Sequence, residues 1–213
     1  MTRTAKLLTG LVLVIVPPGV ASLAQASQSP AARDGGAPLI ENDRVVIREM
    51  TWERGRPAPV YEGGRDAVIV RLADGSVTFR DQGAGRIELP VTETSPRAVV
   101  IELTSSSPAG SAPAPGYPSS FPRSGASQLI DNRLVNVWTV TWPNGEPTAM
   151  HTHPFPTISV TLVGGRQRET RLDGTSSERT VGVGEVRFSE AGRIHQEEGL
   201  ADPPRRAVIV ELK

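Results

Sequence analysis

The chain has no cysteine, few aromatic residues and no excess charge of either sign. Without a thiol it cannot form a disulfide, even in an oxidising compartment. Its 23 basic and 23 acidic residues balance and no basic cluster stands out, which argues against nucleic acid as a partner. Aromatic residues make up 4% of the 213 residues, whereas glycine (21) and proline (19) are abundant. This composition favours short strands joined by turns over a helical bundle.

Only one apolar run is long enough to suggest a membrane-related segment, and it lies near the N-terminus. Arg3 and Lys6 precede the apolar residues 7–16, and Ala24-Gln25-Ala26 offers a small-x-small cleavage site. The run is about half the roughly 20 residues that cross a bilayer as a helix. We therefore expect residues 1–26 to be a cleaved signal peptide, with an uncleaved anchor as the alternative. The mature protein would then be periplasmic or secreted, without membrane contact.

Two polar stretches rich in Pro, Gly and Ser divide the remaining chain. Residues 27–38 are predicted to form a flexible tail behind the signal peptide. Residues 105–127 read SSSPAGSAPAPGYPSSFPRSGAS, which cannot bury enough apolar surface to fold alone. This stretch is predicted to be a linker between two units, residues 39–104 and 128–213.

The two units are similar in sequence. Four blocks match in the same order: residues 39–42 with 129–132, 51–52 with 141–142, 84–87 with 191–194, and 97–103 with 206–212. The second copy is longer by about one β-hairpin, between Leu162 and Ala191. Residues 135–142 and 157–162 are rich in β-branched and aromatic residues and follow a period of two, which is typical of β-strands. In the first range, Val135, Val137, Thr139 and Thr141 alternate with Asn136, Trp138, Val140 and Trp142. The sequence therefore predicts an all-β protein built from two related units.

All three histidines of the chain lie in the second unit. His151 and His153 are two residues apart, so on a strand both side chains would point to the same face. His195 would have to join them from another strand. A single histidine is more often a surface or hydrogen-bonded core residue, but three converging imidazoles would bind one divalent metal ion.

The spacing around these histidines resembles the two motifs of the cupin superfamily. The first, G-x5-H-x-H-x3-4-E-x6-G, is matched by Gly145, His151, His153 and Gly164 or Gly165. The second, G-x5-P-x-G-x2-H-x3-N, is matched by Gly184, Gly192 and His195. The resemblance implies two tandem jelly-roll β-barrels, the first smaller and degenerate, with Fe, Mn, Zn, Ni or Cu inside the second. It further implies a small-molecule ligand or substrate, and a homodimer is a further expectation.

The sequence departs from the cupin pattern at the carboxylate ligand. The motif glutamate should fall at Thr157 or Ile158, and neither side chain can replace it. The predicted site therefore has three histidines and no carboxylate, which leaves more positive charge on the ion. Such a site would favour an anionic ligand or substrate at an open coordination position.

Two glutamates and the first unit bear on the same site. Glu197 and Glu198 follow His195; either could orient an imidazole or act as an acid or base, although solvated loop carboxylates are the commoner case. In the first unit, Tyr61, Gly63 and Glu88 align with the three histidines, so no metal triad is expected there.

Three functions fit the sequence. The first is a metal-dependent cupin enzyme, dioxygenase- or isomerase-like, acting on a small molecule. The second is a non-catalytic periplasmic module that binds a metal or a small ligand, which the missing glutamate favours. The third is a structural cupin whose histidines bind no metal. Nothing in the sequence selects the reaction, because function lies in the site and not in the fold.

Overall fold

The computed structural model describes residues 37–52, 60–84, 87–88, 97–104 and 110–213. The predicted signal peptide, most of the predicted tail and residues 105–109 lie outside them. Within the described part the chain forms sixteen β-strands and no helix, so the prediction of an all-β protein is confirmed. It follows that no described helix is long and apolar enough to cross a membrane.

Seven strands belong to the first unit and nine to the second. They are β1 (Ile40–Glu41), β2 (Val45–Thr51), β3 (Val60–Tyr61), β4 (Ala67–Arg71), β5 (Val77–Arg80), β6 (Ile87–Glu88), β7 (Arg97–Leu103), β8 (Ala126–Asp131), β9 (Val135–Trp142), β10 (His151–Thr152), β11 (Thr157–Val163), β12 (Gly165–Arg171), β13 (Ser176–Val181), β14 (Val186–Ser189), β15 (Ile194–Gly199) and β16 (Arg205–Leu212).

Each unit contains a five-stranded antiparallel sheet. The order is β1-β2-β7-β4-β5 in the first unit and β8-β9-β16-β11-β14 in the second, so matching strands occupy matching places. The smaller sheets differ: β3 pairs only with β6, whereas β10-β15-β12-β13 forms a four-stranded sheet. The hairpin of β12 and β13 lies in the stretch by which the second copy is longer. In the first unit, a short turn at residues 72–76 joins β4 directly to β5.

The two five-stranded sheets share one apolar core. Strand alternation turns one face of each sheet toward the other, so that fully buried residues such as Ile47 and Ile101 cluster with Val137, Ile158 and Val210. The first unit therefore buries its apolar face against the second unit. This is expected for a unit that is small for an independent core. The opposite face of the second sheet carries Trp138, Trp142 and Ile209 into the barrel of that unit.

The described residues of the predicted linker pack along the second unit instead of crossing solvent. Ser119 forms a parallel bridge with Thr152, and the Ser120 N–H donates to the Thr152 carbonyl at 2.8 Å. Phe121 is 8% exposed and stacks on Trp138, with ring centroids 4.9 Å apart. A segment whose composition does not let it fold alone can thus become ordered on the surface of the second unit. Phe121 supplies the aromatic contact.

Asn132 fixes the turn between β8 and β9. Its Oδ1 accepts the N–H groups of Leu134 at 2.8 Å and Val135 at 2.9 Å, and Asn42 makes the same two bonds with Arg44 and Val45 in the first unit. We expect Asn132→Ala to lower the free energy of unfolding by about 1 kcal/mol, because two turn N–H groups lose their acceptor. Urea unfolding measures this. Asn132→Asp retains the acceptor and should stay close to wild type; equal losses in both variants would contradict the turn argument.

Candidate metal centre

Two neighbouring strands bring the histidines together. His151 in β10 lies directly opposite His195 in β15 in the antiparallel register. His153 follows the end of β10, and its N–H donates to the Arg193 carbonyl at 2.9 Å, which holds it beside the same partner strand. All three side chains are almost fully buried, since the residues are 3%, 8% and 1% exposed in chain order. The structure thus places His151 on β10, His153 directly after it and His195 on the neighbouring strand β15.

The three rings turn the same nitrogen toward a common point. His153 Nε2 lies 3.2 Å from His151 Nε2 and 2.9 Å from His195 Nε2. The ring centroids are 4.8–5.0 Å apart, and every ring pair is inclined by 63°. Three nitrogens bound to one ion at about 2.0–2.1 Å would be separated by about 2.8–3.4 Å in octahedral or tetrahedral geometry. The residues present therefore fit one transition-metal ion.

The protonation states of two histidines suit metal ligation. His151 Nδ1 is 2.8 Å from the Ala149 carbonyl oxygen, which can only accept, so Nδ1 carries the proton and Nε2 presents a lone pair. Burial lowers the pKa of His151 to about 4 and the pKa of His153 to about 3. Both imidazoles are therefore neutral at pH 7, the form in which histidine binds a metal.

Glu169 of β12 lies behind His195, and the sequence analysis did not find it. Its Oε1 is 3.7 Å from His195 Nδ1, longer than a hydrogen bond, and its Oε2 bonds Arg193 and lies 3.4 Å from Arg187 Nη1. The His195 ring and the Arg193 guanidinium hold the pKa of Glu169 far below its usual range, so the carboxylate is ionised. An ionised carboxylate at this place favours the His195 tautomer with its proton on Nδ1.

Glu197 and Glu198 lie in strand β15, not in a solvated loop, and they face opposite sides. Glu197 is two residues from His195 and shares its face; its Oε2 accepts the Trp142 Nε1–H at 3.0 Å and lies 3.5 Å from Arg123 Nη2. Burial raises the pKa of Glu197, but His195 and Arg123 outweigh it and lower the value to about 2. Glu198 instead forms an ion pair with Arg168 at 2.8 Å. Of the two, only Glu197 belongs to the surroundings of the histidines.

The structure places no carboxylate where the motif glutamate would lie, at Thr157 or Ile158. Thr157 and Ile158 begin β11, and Ile158 turns into the core that the two sheets share, with no exposed surface. Among the described residues, the three imidazoles alone form a group whose ligand atoms could hold an ion. The group has therefore three nitrogen donors and no oxygen donor from a side chain.

In the first unit, a tyrosine, Tyr61, stands at the position that aligns with His151. The Tyr61 hydroxyl donates to Glu102 Oε1 at 2.5 Å. A Cβ atom at Gly63 would lie 2.0 Å from the Tyr61 hydroxyl oxygen, so a side chain at this position could not coexist with the tyrosine. The side chain of Glu88 is outside the described part of the structure. In this unit Tyr61, which aligns with His151, thus bonds a carboxylate of strand β7.

We expect Glu169→Ala to weaken binding of a divalent ion by about tenfold to a hundredfold, because His195 loses the negative charge that favours a proton on Nδ1 and a free lone pair on Nε2. Competition with a chromophoric chelator measures the dissociation constant. Glu198→Ala is the matched control, since it removes a carboxylate from the same sheet but from the other face. Equal effects of the two substitutions would contradict a role for Glu169 at the metal.

Comparison with known proteins was informative only at the level of structure. No protein-family model matches the sequence, and no curated protein matches it. AerE from Microcystis aeruginosa is similar over 83% of this chain and 96% of its own, with a TM-score of 0.56 and 6% identity. A cupin domain from Bordetella pertussis is 22% identical, with a TM-score of 0.39 over 47% of this chain and 99% of its own.

A third similar structure is DMSP lyase DddQ from Ruegeria pomeroyi, 23% identical, with a TM-score of 0.34 over 41% of this chain and 46% of its own. Similarity to solved structures that are less than 25% identical in sequence concerns the fold alone. The chain has an all-β fold of several antiparallel sheets, and its likeness to AerE is one of fold alone.

Proposed function

We propose that the chain is an exported cupin whose second unit binds one divalent transition-metal ion and a small molecule. The observation that carries the proposal is the convergence of the Nε2 atoms of His151, His153 and His195 at 2.9 and 3.2 Å. Such a cluster of buried imidazole lone pairs, with no proton donor between them, is costly unless an ion joins them. The first unit is proposed to be a degenerate copy that stabilises the second through the shared core.

Such an ion would supply a Lewis acid, or a place for oxygen to bind, at coordination positions left open by three imidazoles. The residues of the chain provide the rest of the site. Trp138, Val140 and Ile209 form a buried apolar cluster with Trp142, whose indole N–H binds Glu197. Glu197 is held by Trp142 and Arg123, and the ionised Glu169 carboxylate lies 3.7 Å from His195 Nδ1. A dioxygenase- or isomerase-like reaction is the proposed chemistry.

A non-catalytic module that binds a metal or small ligand is the alternative. It is favoured by Glu197, the carboxylate on the same face as His195, whose Oε2 already accepts from Trp142 and lies beside Arg123. A carboxylate engaged in this way positions its neighbours more readily than it moves a proton. Oxygen consumption and product formation with a panel of small molecules distinguish the two. Turnover that requires the bound ion supports the enzyme, and tight binding without turnover supports the module.

Metal analysis of the purified mature protein tests the proposal. We expect about one equivalent of a transition metal in the wild type and almost none in His195→Ala, whose Nε2 is one of the three converging atoms. Glu190→Ala changes an exposed residue near the same strand and should retain the metal. A wild-type protein that neither contains nor takes up a divalent ion would rule the proposal out. N-terminal sequencing of the secreted or periplasmic form tests cleavage after residue 26.

A further inference from the structure

Two arginines, Arg205, which is buried, and Arg123, which is partly buried, lie around the indole ring of Trp142. Arg205 is 3% exposed, and its Cζ is 4.1 Å from the ring centroid of Trp142. Its Nε is buried without a hydrogen-bond partner, and within the described residues its guanidinium takes part in no ion pair. Arg123 has its Cζ 5.3 Å from the same ring, and its Nε and Nη1 are likewise buried without a partner.

The charges of this cluster do not balance. Glu197 is the only one of these residues that carries a negative charge, and its Oε2 already accepts from Trp142 and faces Arg123 Nη2 at 3.5 Å. Stacking on the indole offsets part of the cost of burying Arg205, but it satisfies none of the N–H donors. Glu185 also attracts Arg205, but it is already paired with Arg179 at 2.5 Å. One positive charge of this group therefore remains without a counter-ion of its own. A buried unpaired charge is strongly unfavourable, so an anion is the occupant that this cluster fits.

The arginine is not required by the architecture that the two units share. Arg205 precedes the block of residues 206–212, and the corresponding position in the first unit, before residues 97–103, is Pro96. The neighbouring tryptophan is common to both units, as Trp52 and Trp142. Arg123 comes from the segment between the units, which packs against the second one. Both guanidinium groups thus lie at the unit that contains the three histidines, and the repeated architecture of the two units does not require either of them.

We propose that Arg205 and Arg123 bind a carboxylate group of the small molecule that the histidine centre receives. The substrate class is then a small organic acid. The guanidinium group presents N–H donors in a planar fork that matches a carboxylate, and Trp142 offers a flat apolar surface beside it. This inference rests on the proposed function for the identity of the site, but it makes a separate claim about the ligand.

Calorimetric titration with three dicarboxylates, oxalate, malonate and succinate, tests the inference, with oxamide, malonamide and succinamide as uncharged controls. The protein is titrated with and without bound metal at constant ionic strength. We expect at least one diacid to bind roughly tenfold or more tightly than its diamide, and Arg205→Met to remove this preference. Arg206→Met is the matched control, because Arg206 is the exposed neighbour on the same strand. Arg123→Met provides a second variant if Arg205→Met does not fold.

The failures of the two proposals are distinguishable. If the protein contains its metal but binds no diacid, or binds diacids and diamides equally, the carboxylate inference is wrong and the metal proposal stands. Diacid binding that persists unchanged in the folded arginine variants also overturns it. If no metal binds but a diacid binds through Arg205, the metal proposal is wrong and the inference stands.

Discussion

Substitution of His153 by alanine is expected to abolish the stabilisation that a divalent ion gives to the protein. His153 is the central member of the cluster, since its Nε2 lies within 3.2 Å of both other Nε2 atoms. Loss of a residue that only orients a ligand weakens metal binding about 10- to 100-fold, so loss of a ligand should weaken it by more. At an ion concentration 100 times the wild-type dissociation constant, the wild type should gain about 2.7 kcal/mol and the variant almost nothing.

Thermal unfolding with and without the ion measures this difference. For a chain of this size the wild-type gain corresponds to a rise in Tm of about 5–10 °C. The comparison uses the shift caused by the ion and not the Tm itself, because removal of a buried ring also changes the metal-free protein. Glu190→Ala should retain the full shift. A shift of wild-type size in His153→Ala would contradict the three-histidine centre.

Substitution of Ile101 by alanine is expected to destabilise both units, although Ile101 belongs to the first. Its side chain is fully buried in the core that both five-stranded sheets share. Replacing a core isoleucine by alanine costs about 2–5 kcal/mol, because apolar contacts are lost and a cavity remains. Since the cavity opens against residues of the second sheet, the second unit should lose stability by a similar amount.

Urea unfolding followed by tryptophan fluorescence and by circular dichroism tests this coupling. In a Trp52→Phe background, Trp138 and Trp142 report on the second unit alone, whereas circular dichroism reports on all strands. We expect one transition by both methods, shifted together to lower urea. Val183→Ala changes a side chain that is 49% exposed and should leave the midpoint unchanged. A fluorescence transition that stays in place while circular dichroism changes would show that the two units fold independently.

Much of the fold follows from side-chain alternation. In β9 the alternation that is visible in the sequence separates Val135 and Val137, which face the other sheet, from Trp138 and Trp142, which face the barrel. The pairing of His151 and His153 also follows from a period of two. Even the place of Glu197 could have been found in this way, because it is two residues from His195 and thus on the same face.

The remaining parts of the site depend on which strands are neighbours, which alternation does not determine. Glu169 lies behind His195 because β12 pairs with β15 in a register that sets Glu169 opposite Glu197. Arg123 belongs to a segment whose composition predicts a linker, and only the docking of Phe121 on Trp138 brings it to the site. Arg205 stands at the start of a strand and becomes significant only through its burial over Trp142.

X-ray absorption spectroscopy of the metal-loaded protein tests the three-histidine centre most directly, because it counts the ligands of the ion. The account predicts three imidazole nitrogens at about 2.0–2.1 Å, with the remaining positions taken by light oxygen or nitrogen atoms of solvent or a bound small molecule. An ion with fewer than three imidazole ligands would contradict the account.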